Sequence, residues 1–530
     1  MEKSNVFWIY YDIIDLLSRH LDRIDLLNLL SICKRCRQFD NVFYNKYFID
    51  GNVIAGQTFN KNWPKKIKKV KNFYQLDLLK YFMTIKEIMF HNDFNEPINN
   101  LPNTLTHITF GTNFNQPIDN LPNSIIYLKL GKFFDQKVDQ LPDSIIHLEF
   151  DHKHGRFNQP INKLPTSIKH FICSYLYSHN IDNMHSLTYL KLNKFVDWRI
   201  QGKGLPNSIT HFDARISNSN LDFLPNSITH LMLENFNGSL ENFPKSLCHL
   251  ELENFNQKVD NLPDSIIHLK LGSRFDQPID HLPKNLKYLS LGASFNQKID
   301  NLPDTIIHLQ MDGPFNSSID SLPKSLRYLS LGHYFNTHVD FLPNSITYLE
   351  FGANFNHPVD NLPNGIKHLT FGNNFNNPVN FLPNDLIHLT FGDQFNQKVD
   401  NLPKSLRHLQ FGERFNQNID KLPNSITHLI LGKCFNQPIQ KLPSSITHLV
   451  LGKGFNQPID KLLDNTLEIS GANGKDILPS SITHLTIPAS FKGSLNKLPK
   501  SITHLSFSHC NDNLAVKIPN TNIKFMTFNS

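Results

Sequence analysis

The sequence predicts two unequal parts: a small α-helical module at the N-terminus, then a long parallel-β solenoid with coils of about 20 residues. Three observations lead there. Phe is in excess, 42 against 14 Tyr and 3 Trp. The excess is periodic, since Phe255, Phe275, Phe295 and their successors to Phe455 recur at every twentieth residue, each followed by Asn or Asp. Residues 1–50 stand outside this period and carry apolar residues at helical spacing. A length of 530 residues would by itself suggest three or four domains at ~150 residues each. A fixed short period replaces them with one stacked array.

The elements follow in chain order. In residues 1–50, Ile13, Ile14, Leu17 and Leu21 form one apolar stripe, and Leu26, Leu27, Leu30 and Cys33 form a second. Asp22 and Asp25 flank a turn and can cap the second helix. One reading of this module is a helical cap for the open end of the array, which such arrays need. Residues 51–84 read as a linker and a first degenerate coil. Trp63-Pro64, Ile67 and Val70 fall in repeat register after Phe59-Asn60, so the Lys65–Lys71 basic run decorates that coil rather than forming a nuclear localisation signal. Residues 85–530 are the solenoid, with Leu-Pro, or the variants Phe243-Pro244 and Ile518-Pro519, opening unit after unit.

The unit Leu422–Lys441, LPNSITHLILGKCFNQPIQK, can be read position by position. SITHLIL alternates and is β-rich, so it predicts a strand with Ile426, Leu429 and Leu431 inward and His428 and Ile430 outward. Leu-Pro-Asn-Ser predicts a type I turn with Pro at its second position. Gly432 is expected to supply a bend with positive φ. Phe435 is a wedge filling the coil interior, and Asn436 would join a column of Asn that bonds the backbone of neighbouring coils. Pro438 is replaced by Lys258, Lys298 or Lys398 in other units, so that site needs no N–H and is a corner. Equivalent positions stack, which requires parallel pairing.

Composition excludes several function classes. Lys+Arg 52 against Asp+Glu 46 leaves +6, and residues 1–100 hold 15 basic and 11 acidic residues, so the rest of the array is nearly neutral. That argues against nucleic acid as a partner. No run approaches the ~18 apolar residues of a membrane span, and Asp12 and Asp15 interrupt any signal-peptide core. The six scattered Cys make no disulfide framework and fit a reducing compartment. Of 26 His, fifteen occupy one repeat position, where Tyr stands in other units. A row spaced by ~4.8 Å does not converge on one ion, and one Asp per coil does not make a calcium β-roll. Cys33-x-x-Cys36 lacks a second pair. No catalytic motif appears, so neither a metal, a cofactor nor an enzyme is expected.

The FNQP segment at Phe435–Pro438 closely resembles the FNIP repeat family, which is leucine-rich-repeat-like and met mainly in social amoebae and in giant DNA viruses of amoebae. The resemblance covers roughly Phe59 to the C-terminus. It implies a parallel sheet and a binding protein. The segment from Asp12 to Phe39, with Cys33-Lys34 and its basic tail, resembles an F-box, whose usual opening Leu-Pro is here Ile9-Tyr10 and whose usual Trp is here Cys36. By that resemblance Ile9, Ile13, Ile14, Leu17, Leu21, Leu26, Leu27, Leu30 and Cys33 would dock on the Skp-type adaptor of a cullin–RING (SCF-type) E3 ubiquitin ligase. The solenoid would then hold a protein target, in the cytoplasm, or in the host cytoplasm if the protein is viral. The alternative is a scaffold whose helices only cap the array.

The expected target-binding face is the outward strand row. It comprises His268, Tyr288, His308, Tyr328, Tyr348, His368, His388, His408, His428 and His448, with Lys270, Gln310, Glu350 and Gln410 two positions on. Irregular coils are further candidates: an insertion at His152–Phe157, a segment Ile172–Gly204 that lacks FNQP and carries Trp198 and Arg199, and a shortened coil at Leu462–Leu478. Protonating a column of imidazoles would set like charges side by side, so stability or partner binding should change below about pH 6.

Overall fold

The computed structural model describes residues 49–50, 69–73, 76, 84–179, 181–192 except 182, 205–216, 221–459, 478–508 except 494, 496 and 497, 523, and 525–529. The F-box-like residues Ile9 to Cys33, together with Trp198 and Arg199, lie outside the described residues. No α-helix occurs among the described residues.

The chain divides into two compact units. One runs to Phe236 and includes Asn242–Leu247; the other comprises Asn237–Glu241 and the chain from Cys248 onward. In the first, strands of two to five residues run from Ile49–Asp50 through Lys69–Phe73 and Glu87–Phe90 to His230–Glu234. Each pairs parallel with the next, for example Tyr127↔His147 and His211↔His230. In the second unit the strands run from His249–Leu252 to Phe525–Asn529, again parallel and in register, as in His408↔His428↔His448. Degenerate coils keep their strands too, at Lys69–Phe73, Glu87–Phe90 and Tyr189–Leu192.

The interior is columnar. Ile426, Leu429 and Leu431 are buried, as the alternation predicted, and Phe435 is fully buried. Phe435 stacks at 6.1 Å on Phe415 and at 5.9 Å on Phe455. Where the strand also ends in Phe, a second ring joins: Phe411 lies 3.7 Å from Phe415. The Asn column forms as expected. Asn416 Oδ1 accepts the Asn436 N–H at 2.9 Å, and Asn436 Oδ1 accepts the Asn456 N–H at 2.9 Å. In the first unit Asn95 and Asn115 do the same for Asn115 and Asp135. Each coil thereby satisfies a backbone donor of the next at the corner where strand pairing has ended.

Three local expectations are corrected. The strand is only His428–Ile430, shorter than SITHLIL. The Ile426 N–H bonds the Pro423 carbonyl at 3.2 Å, so the turn consumes the donor a longer strand would need. That same bond makes Pro423 the first residue of the turn, with Asn424 and Ser425 at its centre. Gly432 does not adopt positive φ. Its reason is proximity: a Cβ there would overlap the carbonyl oxygen of Gly412 in the coil before. The left-handed positions belong instead to Asn100, Asn235, Asn242 and Asn254.

The irregular coils keep the scaffold where they are described. Ile172–Gly204 lacks FNQP, and Tyr177 takes the wedge position, stacked on Phe157 at 6.1 Å and buried in the Phe column. The Ser178 N–H bonds Asn158 Oδ1 at 2.9 Å, so Tyr177-Ser178 replaces Phe-Asn. Of Leu462–Leu478 only Leu478 is described; the strands on either side pair directly, His448 with His484. The insertion at His152–Phe157 is a turn: Asp151 Oδ1 accepts the His154 N–H at 2.7 Å, and Phe157 returns to stack on Phe150 at 3.9 Å.

Candidate binding surface

The strand places one half-exposed ring per coil on its outward face, and in-register pairing brings those rings face to face. In the second unit His268 and Tyr288 lie 4.0 Å apart between ring centres, His308 and Tyr328 4.0 Å, and Tyr328 and Tyr348 4.4 Å. Tyr288–His308 at 5.7 Å and Tyr348–His368 at 5.8 Å are looser. From His368 the row tightens. His388, His408, His428 and His448 follow at 4.2–4.3 Å, and His484 lies 4.1 Å from His448. The proposed ring residues are thus brought together as one row.

Two positions on, the second row is less uniform. Lys270 is tied to Glu251 at 3.1 Å, Gln310 to Asp312 at 3.1 Å, and Glu350 accepts from Ser330 at 3.4 Å, whereas Gln410 and Ile430 are exposed. In the first unit this row holds ion pairs: Lys129–Glu149 at 2.6 Å and Lys191–Asp213 at 2.5 Å, with both carboxylates nearly buried. Tyr127 also donates to Glu149 at 2.8 Å, and burial, then that bond, raise its pKa.

His388, His408, His428, His448 and His484 are held below their ordinary pKa. Burial, then the charge of His408, pushes His388 down to about 4; burial, then His504, pushes His484 down to about 4. His408, His428 and His448 shift the same way for the same reasons, burial first and neighbouring rings second. These five rings are therefore neutral near pH 7. No group of three or more His, Cys, Asp or Glu among the described residues is arranged to hold a metal ion.

Sequence reasoning missed the threonines that seat these rings. Thr427 Oγ1 lies 2.9 Å from His428 Nδ1, and Thr447 and Thr483 repeat this at His448 and His484. The recurring Thr-His-Leu carried the signal. Also missed were Phe341 and Phe381, 71% and 70% exposed, where other coils have Asn361, Asn401 or Lys421 before Leu-Pro.

The repeat so defined matches the FNIP Repeat model over residues 83–113 and 114–153, an overlapping run from 218 to 463, and 474–520. The chain belongs to the FNIP repeat family. Among solved structures, this FNIP-repeat chain is similar to CroV588, a circular leucine-rich-repeat protein, at 35% identity over 88% of this chain and 72% of that one, with a TM-score of 0.64. YopM from Yersinia enterocolitica WA-314 matches at 18% identity over 81% and 92%, with a TM-score of 0.42. TLR13, solved with ssRNA13, matches at 15% over 82% and 82%, with a TM-score of 0.41. Comparison with curated proteins finds no match. The solenoid is leucine-rich-repeat-like, an architecture suited to binding a protein along its length. No helix among the described residues is long and apolar enough to cross a membrane.

Proposed function

We propose that this FNIP-repeat chain is a recognition subunit. Its solenoid holds a protein target along the outward ring row, and its first 50 residues dock on a Skp-type adaptor of a cullin–RING ubiquitin ligase. The protein acts by binding and works in the cytoplasm. The observation that carries the target half is the ring row: half-exposed, mixed in polarity and repeated coil after coil on one face. Such a row offers flat apolar edges beside polar groups, the mixture found at interface cores. The adaptor half is supported by the F-box-like pattern from Ile9 to Cys33.

Each half has its own experiment. Full-length protein should capture the Skp-type adaptor, and an Ile13/Leu17/Leu21→Asp variant should not. If neither captures it, the ligase role is wrong and a scaffold role stands in its place. A target retained by the wild type should be lost from an Ile430→Arg/Val450→Arg variant, because both side chains sit outward beside the rings. Retention by that variant would remove the row from target binding.

A further inference from the structure

We propose that the row from His368 to His484 is a docking strip for an acidic, extended segment of the protein target. The inference deepens the reading of this row as the target-binding face and rests on it.

The hydrogen bonds at the threonines fix which ring nitrogen is left open. Thr427, Thr447 and Thr483 each place their hydroxyl 2.9 Å from Nδ1 of the following His. The same hydroxyls lie 3.1–3.2 Å from the carbonyls of Arg407, Thr427 and Thr447. Those carbonyls already accept two N–H bonds each; Thr427 O, for example, takes the Thr447 N–H at 2.9 Å and the His448 N–H at 3.0 Å. A carbonyl has two lone pairs and a hydroxyl one proton. The hydroxyl donates to that carbonyl and accepts from Nδ1–H, or turns to donate to Nδ1; in either arrangement the threonine engages Nδ1 and Nε2 is the open nitrogen. Nε2 of His428, His448 and His484 has no hydrogen-bond partner among the described residues. It is an N–H donor once the ring is protonated. The protonated rings would be donors with no acceptor of their own in the row.

Charge points the same way. Beside these rings the outward row reads Thr370, Thr390, Gln410, Ile430, Val450 and Thr486, without a carboxylate. Just before them come Lys367, Ile387 and Arg407. The charged groups that act on the rings are the other rings of the row, His504 and Arg407. Coils elsewhere answer their histidines with an acid, as Glu251 does at 3.1 Å from His249. Here the acid is left for the partner to supply. Six rings at about 4.8 Å per coil span about 24 Å, the reach of about seven extended residues at ~3.3 Å each. An anion laid on the row favours the protonated ring, so binding should take up protons and tighten as pH falls.

The test uses full-length protein and three labelled probes: a ten-residue peptide of alternating Glu and Ser, its Gln-Ser counterpart, and a ten-nucleotide single-stranded DNA. Fluorescence anisotropy should show the Glu peptide binding, with affinity rising about tenfold per pH unit per proton taken up between pH 7.5 and 5.8. The Gln peptide should bind far more weakly. A His428→Gln/His448→Gln/His484→Gln variant should lose at least about tenfold, the value of one good hydrogen-bonded contact. Because that variant could unfold, the exposed Ile430 supplies a second arm: Ile430→Glu should weaken binding and Ile430→Lys strengthen it. Equal binding of both peptides, lost in the triple variant, would overturn the acidic partner but keep the row as a peptide-binding face. Tighter binding of the DNA would overturn a protein segment as occupant. Binding of no probe, or no effect of any variant, would overturn the strip itself, and the Ile430→Arg/Val450→Arg capture experiment then decides the broader reading independently.

Discussion

The outward row is built in two ways. In the first unit it is a chain of neutralised charges, with Glu149 shared by Lys129 and Tyr127, and Asp213 by Lys191. In the second, from His368 onward, it is a close-packed stack of neutral imidazoles with no carboxylate in the neighbouring row. Beneath both lies the same scaffold: a Phe column, an Asn column and buried strand leucines. The fold is thus indifferent to what the outward positions carry, and those positions are where one coil can differ from the next. A charge pair that satisfies itself leaves little for a partner, whereas a row of open imidazole nitrogens leaves a great deal.

The largest expected effect tests whether the scaffold is shared. Phe134→Ala in the first unit and Phe435→Ala in the second each empty a fully buried wedge site. Each should cost about 3–5 kcal/mol, read as a lowered denaturation midpoint. A marked difference between the two would break the claim that both regions stand on one scaffold.

The next effect separates the regions. Asp213→Asn should destabilise the first unit by about 2 kcal/mol, since it leaves the Lys191 ammonium half-buried without its counter-charge. The double change Lys191→Met/Asp213→Leu should recover most of that loss. Hydrogen exchange of the strands His211–Arg215 and His230–Glu234 would report both. No recovery would mean the pair contributes more than charge neutralisation.

Smaller again is the Asn column. Asn436→Ala removes the acceptor of the Asn456 N–H and should cost about 1 kcal/mol. The equivalent Asn115→Ala should match it, because Asn115 Oδ1 holds the Asp135 N–H at 2.9 Å. Unequal losses in denaturant melts would show that the column bears differently on the two units.

These contrasts also mark what the sequence could and could not reveal. Period alone set the coil, the parallel register and the inward side chains, because each residue is compared with many copies of itself. The role of Gly432 was not legible: a glycine needed for close approach and one needed for positive φ look alike in one dimension. The position of Pro423 in its turn depended on which carbonyl the Ile426 N–H chose. Tyr177 stood the right distance after Phe157 yet was hidden by its different type. The ring row was visible as a column of His and Tyr, but the division between charge-paired and charge-free stretches was not. That division arises from which side chains of consecutive coils reach one another, and Thr427, Thr447 and Thr483 show their part only once Oγ1 and Nδ1 are seen 2.9 Å apart.

The gentlest effect is the acid response of the imidazole stack. In the unfolded chain His titrates near ~6.5, while His388 and His484 are held at about 4 in the fold. Between those values the unfolded chain binds more protons than the folded one. Stability is therefore full above about pH 6.5 and falls as pH drops toward 4. Each ring contributes modestly, because half-exposed charges are screened by solvent and salt. Denaturation midpoints from pH 7.5 to 5 stay above the ordinary carboxylate range and isolate this term. The midpoint should decline below pH 6.5, and His388→Gln/His484→Gln should flatten the decline because Gln cannot titrate. A profile that is already flat in the wild type would mean the stack tolerates its protons without strain, and the contrast between the two outward rows would then be one of hydrogen bonding alone.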